Sequence, residues 1–242
     1  MTAHDPEGWG EFRRYAHALG VGLDDRQLAQ FQEYLALLRE WNRRFNLTAL
    51  TEPRAIVFKH FLDSLTLTRV VDWERQRSLI DVGSGAGFPG VPLAIAFPHL
   101  EVLLLDSQAK RVRFCARVAA ALGLERVQTL HARAEEAAHD PRWRERFDVA
   151  AARAVAELPI LVEWCLPFVR VGGVFVAMKG PKVDPEVAAA QRAIERLGGG
   201  SPRIDRFPLP GTDVERALVV VPKCGSTPPA YPRRGGARKR PL

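Results

Sequence analysis

The residues of this sequence with the clearest capacity to bind a small molecule lie in a glycine-rich segment from Asp81 to Gly90. The segment follows a β-rich run, precedes an apolar helical run and contains Gly83, Gly85 and Gly87. Glycine permits a sharp turn and a close approach of the backbone to a ligand, and the N–H groups at a helix N-terminus favour an anionic group. The alternative is a turn that only packs the strand on the helix. The segment predicts a ligand-binding turn at the carboxyl end of a strand.

Two carboxylates make this prediction more specific. Asp81 stands two residues before Gly83, and Asp106 ends the next strand, nineteen residues after Gly87. A carboxylate at that place can accept hydrogen bonds from both hydroxyls of a ribose, and it repels a 2′-phosphate. The dinucleotide pattern G-x-G-x-x-G has Phe88 in place of its last glycine, which disfavours a nucleotide-linked oxidoreductase. The turn is therefore predicted to bind a nucleoside.

The elements that position these residues follow from the pattern of apolar side chains. Residues 76–221 alternate β-rich and helical runs, which predicts an α/β domain with a mostly parallel sheet and helices on both faces. Strands are expected at 79–82, 102–105, 127–130, 147–151, 174–178, 203–207 and 218–221. Helices between the early strands are expected at 92–97, 110–122 and 159–169. The last two strands are joined by a loop with prolines and a glycine, and an antiparallel hairpin is expected there.

Residues 1–75 are predicted to form a helical cap on the sheet domain. Asp24 or Asp25 begins a helix with apolar residues at helical spacing from Leu28 to Phe45, and a second helix is expected over 55–71. No Walker A or G-x-S-x-G segment is present, which disfavours a P-loop hydrolase and an α/β-hydrolase.

The basic residues point to an anionic partner. The net charge is +7, and residues 222–242 hold six basic residues and no acidic one, which leaves +1 for the preceding 221 residues. The five prolines and three glycines of 222–242 predict an extended tail without a core. Neither a signal peptide nor a long apolar run is present, so a cytoplasmic protein without membrane contact is expected. The three cysteines form no C-x-x-C pair, and no metal site is expected.

The motifs in their order resemble one family, the bacterial 16S rRNA guanine-N7 methyltransferases, formerly called glucose-inhibited division protein B. The G-x-G-x-G turn has the form of motif I of Rossmann-like methyltransferases. The similar segments run from about residue 46 to the C-terminus and lie at 46–49, 59–65, 81–90, 105–107, 110–111, 133–135, 153–154, 178–180, 227–228 and 231–234. The resemblance implies a Rossmann-like class I methyltransferase with a seven-stranded sheet, an N-terminal helical cap and a basic C-terminal tail. It implies S-adenosylmethionine as methyl donor and 16S rRNA, or the assembling small subunit, as partner of a monomer.

The resemblance also implies residues that contact the donor. They are Gly83, Phe88, Asp106, Ser107, Gln108, Ala134, Glu135 and Arg153. Asp81 and Gly85 join them as parts of the turn. Gly235 and Gly236 stand where the family often has a proline, which affects the expected geometry of the tail.

Four further residues are candidates for contact with RNA. Lys179 ends a strand and can meet a phosphate, or it is a solvated lysine. His60 can stack on RNA or is a satisfied helix histidine. Arg233 and Arg234 can clamp phosphates, or they belong to a solubilising end.

The expected chemistry needs no catalytic base. Guanine N7 has a lone pair and no proton, so its attack on a sulfonium methyl depends on alignment and on the exclusion of water. No residue is therefore assigned as catalytic. The alternatives are a methyltransferase of the same fold that acts on another RNA base or a small molecule, and a non-catalytic RNA-binding module.

Overall fold

The computed structural model describes residues 5–233, and seven strands within them form one sheet. The strands are β1 (Ser78–Val82), β2 (Glu101–Asp106), β3 (Val127–His131), β4 (Phe147–Arg153), β5 (Val169–Lys179), β6 (Arg203–Pro208) and β7 (Glu215–Pro222). Their order is β3-β2-β1-β4-β5-β7-β6. Strands β1 to β5 are parallel, and β7 is antiparallel to both β5 and β6. The predicted mostly parallel sheet with an antiparallel ending is confirmed.

Helices precede the sheet and connect its strands. They are α1 (Trp9–Ala18), α2 (Asp25–Phe45), α3 (Pro53–Ile56), α4 (Asp63–Leu65), α5 (Gly90–Ala96), α6 (Ala109–Ala121), α7 (Ala134–Ala137), α8 (Leu158–Cys165) and α9 (Asp184–Arg196). Short 3₁₀ segments lie at Thr66–Arg69, Trp73–Arg75 and Leu166–Phe168. The helix expected to reach residue 169 ends earlier, because β5 already begins there, and α9 was not predicted. Among the helices of residues 5–233, none has both the length and the apolar character needed to cross a bilayer.

The sheet separates two apolar clusters because successive strand side chains point to opposite faces. In β2, Val102 and Leu104 belong to the cluster that contains the N-terminal helices, whereas Leu103 and Leu105 belong to the cluster with α8 and α9. Each fully buried side chain of this size contributes about 1.5–3 kcal/mol. Helices thus cover both faces, as the alternation of elements predicts, and the N-terminal helices bury their apolar side chains on one of them.

The start of α2 matches its prediction. The Asp24 carboxylate accepts a hydrogen bond from the Gln27 N–H at 2.7 Å, and the Gln27 side chain accepts one from the Asp24 N–H at 2.9 Å. This reciprocal pair satisfies two N–H groups that a helix start otherwise leaves free. The Gln27 amide also donates to the Ile95 carbonyl at 2.8 Å, which fixes α2 against α5.

The helix expected over 55–71 is interrupted by a π-helical turn, Val57–Leu62, between α3 and α4. Val57, Phe58, Phe61 and Leu62 are all buried. The wider turn spreads these four side chains over the apolar core and leaves the remaining two residues of the turn, Lys59 and His60, only partly buried. The π-helical turn therefore determines which side chains can reach a cleft beside the sheet.

The prediction of a tail without a core is wrong for residues 223–233. Lys223 is 1% exposed, and its ammonium donates to the carbonyls of Leu166 at 2.9 Å and Leu197 at 3.1 Å. Glu145 lies 3.3 Å from the same ammonium. Polar partners hold this segment where apolar side chains are scarce, which composition alone does not reveal.

Candidate active site

Strand β1 ends in the glycine-rich turn, and the conformation of the turn requires its glycines. Gly83, Gly85 and Gly87 have φ angles of 73°, 60° and 95°, a region that other residues rarely adopt. A Cβ atom at Gly83 would lie 2.7 Å from Cγ2 of Val155, and one at Gly87 would lie 2.7 Å from the Tyr34 hydroxyl. The turn is therefore closely packed as well as left-handed.

Asp81 is fully buried beneath this turn. Its Oδ2 accepts a hydrogen bond from the Gly90 N–H at 2.8 Å at the start of α5. Its Oδ1 is buried and has no hydrogen-bond partner within the described residues. Burial raises the pKa of Asp81 to about 7. A buried polar atom without a hydrogen-bond partner is rare in a folded protein and destabilises it.

Asp106 links the turn to the start of α6. Its Oδ2 accepts from the Gly85 N–H at 3.0 Å, and its Oδ1 accepts from the Gln108 N–H at 2.8 Å. Arg111 Nη1 lies 3.5 Å from Oδ2. Oδ1 has a second lone pair, so Asp106 keeps capacity to accept a further hydrogen bond.

Two adjoining cavities lie at the carboxyl ends of the parallel strands, where ligands bind in open α/β sheets. The larger has a volume of about 550 Å³ and the smaller about 330 Å³. Of the residues predicted to bind donor or RNA, the larger is lined by Gly83, Gly85, Phe88, His60, Arg153 and Lys179. The smaller is lined by Gly83, Asp106, Ser107, Ala134 and Glu135. Gln108 is not among the lining residues of either cavity, and Asp81 lies below the turn.

The smaller cavity combines a buried carboxylate with a buried donor. Glu135 is 3% exposed, and its Oε1 accepts from Arg133 Nε at 2.8 Å. The indole N–H of Trp164, another lining residue, is buried and has no hydrogen-bond partner within residues 5–233. The smaller cavity is therefore bordered by a buried carboxylate and by a buried N–H without a partner among the described residues.

Arg153, at the end of β4, is held in the wall of the larger cavity. Its Nη1 lies 3.1 Å from Asp63 Oδ2, and its guanidinium carbon lies 4.9 Å from the centre of the Phe88 ring. Asp63 is 1% exposed and also pairs with Arg216, with Oδ1 at 2.9 Å from Arg216 Nε. One buried carboxylate therefore fixes two arginines that line the same cavity.

His60 is occupied on both ring nitrogens. Nδ1 lies 3.2 Å from Arg153 Nη2 and 3.0 Å from the Lys59 carbonyl oxygen. Nε2 lies 2.7 Å from Thr48 Oγ1. The ring stacks on Phe88 with 4.6 Å between centroids. Burial and the charge of Arg153 lower the pKa of His60 to about 3.

Lys179 meets neither expectation for it. Its ammonium donates to the Ala156 carbonyl at 2.7 Å and to Glu186 Oε2 at 2.7 Å, and its side chain is 11% exposed. It lines the cavity but is neither a solvated lysine nor a free cation for phosphate. The expectation is corrected because α9 supplies Glu186, and α9 was not predicted.

Arg233 is likewise corrected as a phosphate-binding candidate. Its Nη2 lies 2.6 Å from Glu163 Oε2 on α8, and its backbone N–H donates to Glu163 Oε1 at 2.7 Å. Glu163 is 2% exposed, so this pair fixes the end of the described chain. Arg234 lies outside the described residues.

The lining residues that the sequence does not predict as site residues include Asp63, Arg111 and Arg216. Asp63 follows Lys59 and His60 on one helical segment, and that spacing was a usable signal. Arg111 lines both cavities, near Asp106. Arg216 is 153 positions from Asp63 in sequence, and no local pattern indicates their contact. Within residues 5–233 no group of three or more His, Cys, Asp or Glu side chains could hold a metal ion.

Comparison with known proteins identifies the family. The family model of the rRNA small subunit methyltransferase G matches residues 27–207. A ribosomal RNA small subunit methyltransferase G from Acetivibrio thermocellus is 47% identical over 228 residues, which cover 94% of this chain and 93% of the relative. One from Brevibacillus brevis is 45% identical and covers 96% of this chain and 98% of the relative.

Solved structures agree on the fold. The cofactor-bound structure of Rv0187 from MTB has a TM-score of 0.56 at 16% identity and covers 92% of this chain and 99% of that one. A SAM-dependent O-methyltransferase from Thermotoga maritima has a TM-score of 0.54 at 16% identity and covers 79% and 73%. These likenesses concern the Rossmann-like α/β architecture alone. The match of the family model over residues 27–207 and the relatives at 45–47% identity lead to one conclusion: the chain belongs to the rRNA small subunit methyltransferase G family and is a methyltransferase.

Proposed function

We propose that this chain transfers the methyl group of S-adenosylmethionine to N7 of a guanine in the decoding-centre hairpin of 16S rRNA. The observation that carries the proposal is the pair of adjoining cavities that meet at Gly83. The smaller cavity is lined by carboxylates and by an indole N–H without a partner, which suit a nucleoside. The larger cavity is lined by aromatic and arginine side chains and has no unpaired carboxylate or imidazole among the described residues. The family supplies the class of reaction, and the geometry supports this choice of donor and acceptor atom.

The donor would occupy the smaller cavity and extend past the turn. Asp106 would accept hydrogen bonds from the ribose hydroxyls, while Ala134 and Glu135 would contact the adenine. Arg153 retains N–H groups beyond those directed at Asp63, His60 and the Lys59 carbonyl, and these can bind the methionine carboxylate. When bound, S-adenosylmethionine supplies a methyl group made electrophilic by its sulfonium. No metal ion is needed in this arrangement.

The state of the acid–base groups supports N7 as acceptor atom. Within the described lining of the larger cavity, Asp63 and His60 are the two side chains of carboxylate or imidazole type. Asp63 is paired with two arginines, and His60 has both nitrogens occupied and a pKa of about 3. An exocyclic amino group or ring N–H must lose a proton on methylation, whereas N7 carries none. The chain's contribution is then to align the base and exclude water.

The guanine would lie against the stacked rings of Phe88 and His60. An aromatic face holds a base without consuming its hydrogen-bonding groups. This contact keeps His60 as a substrate-binding candidate in a role that needs no proton transfer.

The test is methyl transfer to defined RNA. Purified chain and isotopically labelled donor are incubated with naked 16S rRNA or with small subunits, and labelled nucleotides are mapped by mass spectrometry. We expect 7-methylguanosine at one decoding-centre position. Label on another base would overturn the N7 assignment, and a failure to bind the methyl donor would favour a non-catalytic RNA-binding module.

Gly83→Ala provides the matching loss of function. Its Cβ would lie 2.7 Å from Val155, at a φ of 73°, so donor binding should fall at least about 100-fold. Gly22→Ala is the control, since a Cβ at Gly22 meets nothing within 4 Å. Equal donor affinity in the two variants would contradict the role of the turn.

A further inference from the structure

Two segments beside the larger cavity are rich in basic residues and contain no acidic ones. They are residues 41–51, which include the end of α2, and residues 107–123, which include α6. The first 221 residues together carry a net charge of only +1, so this is a local concentration of charge. We name five of its members the α2–α6 basic strip: Arg43, Arg44, Lys110, Arg113 and Arg117.

Packing brings the members of the strip together. The Lys110 ammonium donates to the Phe45 carbonyl at 3.1 Å, which joins the start of α6 to the end of α2. The rings of Trp41 and Phe114 meet with 5.5 Å between centroids. Lys110, Arg113 and Arg117 are three and four residues apart and therefore share one side of α6.

The strip lies at the mouth of the cleft. Leu47 and Thr48, just past the end of α2, line the larger cavity. Arg111, in the first turn of α6, lines both cavities. The strip therefore adjoins the site at the same edge of the sheet.

The members of the strip lack acidic partners. Arg43, Arg44, Arg113 and Arg117 are exposed, and none has an Asp or Glu oxygen within 4.0 Å among the described residues. Many other arginines are paired, for example Arg13 with Asp25 and Arg69 with Asp205.

Helix stability explains only part of this placement. Arg43 and Arg44 suit the C-terminus of α2, where a cation contributes about 0.3–1 kcal/mol, and the Lys110 ammonium also meets that helix end at the Phe45 carbonyl. Arg113 and Arg117 lie beyond the first turn of α6 and before its last, so neither helix end stabilises them. Exposed cations with neither a carboxylate nor a helix end beside them fit an external anion.

We propose that the α2–α6 basic strip binds the phosphates of the substrate RNA on one side of the target base. The inference rests on the proposed function for the identity of the RNA. Guanidinium groups match phosphate with two parallel hydrogen bonds, and a row of them follows a sugar–phosphate backbone. The sequence predicts phosphate contacts for Arg233, but Arg233 forms an ion pair with Glu163. In this proposal the strip makes those contacts instead.

The test compares two triple variants of equal charge change. Arg44→Gln, Arg113→Gln and Arg117→Gln are combined in the strip. Arg26→Gln, Arg77→Gln and Arg192→Gln form the control: all three are exposed and belong to the opposite end of α2, the amino end of β1 and the helix α9. Binding of a 16S decoding-centre hairpin is measured against salt concentration, with melting temperature and donor affinity measured in parallel.

The strip variant should bind RNA at least about tenfold more weakly at 0.1 M salt, with the slope of log K against log salt reduced by about two to three. Its donor affinity and melting temperature should match those of the control. If the two triple variants had equal slopes of log K against log salt, the proposal that the strip binds RNA phosphates would be wrong. Failure of the proposed function is a separate result, because it appears as missing 7-methylguanosine in the wild-type chain, whatever the slopes.

Discussion

The two edges of the sheet use the same chemistry for different purposes. At the carboxyl edge, buried Asp63 holds Arg153 and Arg216 in the wall of the cleft. Toward the amino edge, buried Glu163 holds Arg233, and Glu145 lies beside buried Lys223. At the first edge the cations border open space, whereas at the second they close the end of the chain. The role of a paired basic residue therefore depends on whether its ion pair leaves the side chain next to the cleft or buries it in the packed chain.

The largest expected difference is between Asp63→Asn and Glu163→Gln. Each removes a buried carboxylate from its arginine and should lower the free energy of unfolding by about 3 kcal/mol. Asp63→Asn should also lower methyl transfer per folded molecule at least about 100-fold, because Arg153 and Arg216 lose their position. Glu163→Gln should leave that rate unchanged. Denaturant unfolding and single-turnover rates separate the two effects, and similar rate losses in both variants would remove the contrast between the edges.

Asp81 sharpens the comparison, because its buried Oδ1 has no hydrogen-bond partner among the described residues and this lowers the stability of the folded chain. Burial raises its pKa from 3.8 to about 7, so the folded chain binds more protons than the unfolded chain in that window. The stability that the group contributes is full below pH 3.8 and is lost as the pH rises to about 7. Asp81→Asn stays neutral at every pH. Its free energy of unfolding should be about 2 kcal/mol higher than that of the wild-type chain at pH 8 and nearly equal to it at pH 4.

The same variant should bind S-adenosylmethionine at least about tenfold more weakly by calorimetry, because the carboxylate that accepts from the Gly90 N–H and holds the turn against α5 is replaced by a weaker acceptor. Asp213→Asn, at an exposed position, is the control. If Asp81→Asn were less stable than the wild-type chain at pH 8, the charged Asp81 carboxylate would not be destabilising.

The smallest effect concerns Lys223 at the other edge. Burial lowers its pKa from 10.5 to about 8, so the unfolded chain binds more protons than the folded chain between these values. Stability relative to Lys223→Met should therefore rise with pH across that window, by about 1–2 kcal/mol between pH 8 and 10. Urea unfolding of both proteins at several pH values measures this difference. A difference that stays constant would mean that the buried amine keeps its ordinary pKa.

Local patterns predict the elements and the turn, but not the partners of charged side chains. Strands and helices have a period that the sequence displays, and Gly83, Asp81 and Asp106 lie close together along neighbouring elements. Lys179 and Arg233 are predicted to contact phosphate only because one follows a strand and the other lies near the end of the chain. Their partners, Glu186 and Glu163, come from helices whose packing depends on the whole fold.

The cleft contacts of Asp63 show the same limit at longer range. Arg153 is 90 positions away and Arg216 is 153 positions away, and only the order of β4, β5 and β7 in the sheet brings them together. A carboxylate in an apolar helix is visible in sequence, but which cations neutralise it is not.

The π-helical turn Val57–Leu62 has a consequence for how this chain can vary. Each residue added to or removed from an α-helix rotates everything beyond it by about 100°. This π-helical turn takes up one extra residue within a single turn, so the helical segments on either side keep the orientation they would have in a continuous α-helix. Loss of one residue from it would restore ordinary helical spacing, leave Asp63 near its two arginines and change which side chains of the turn face the core. The extra residue therefore sets the positions of Lys59 and His60 rather than that of Asp63.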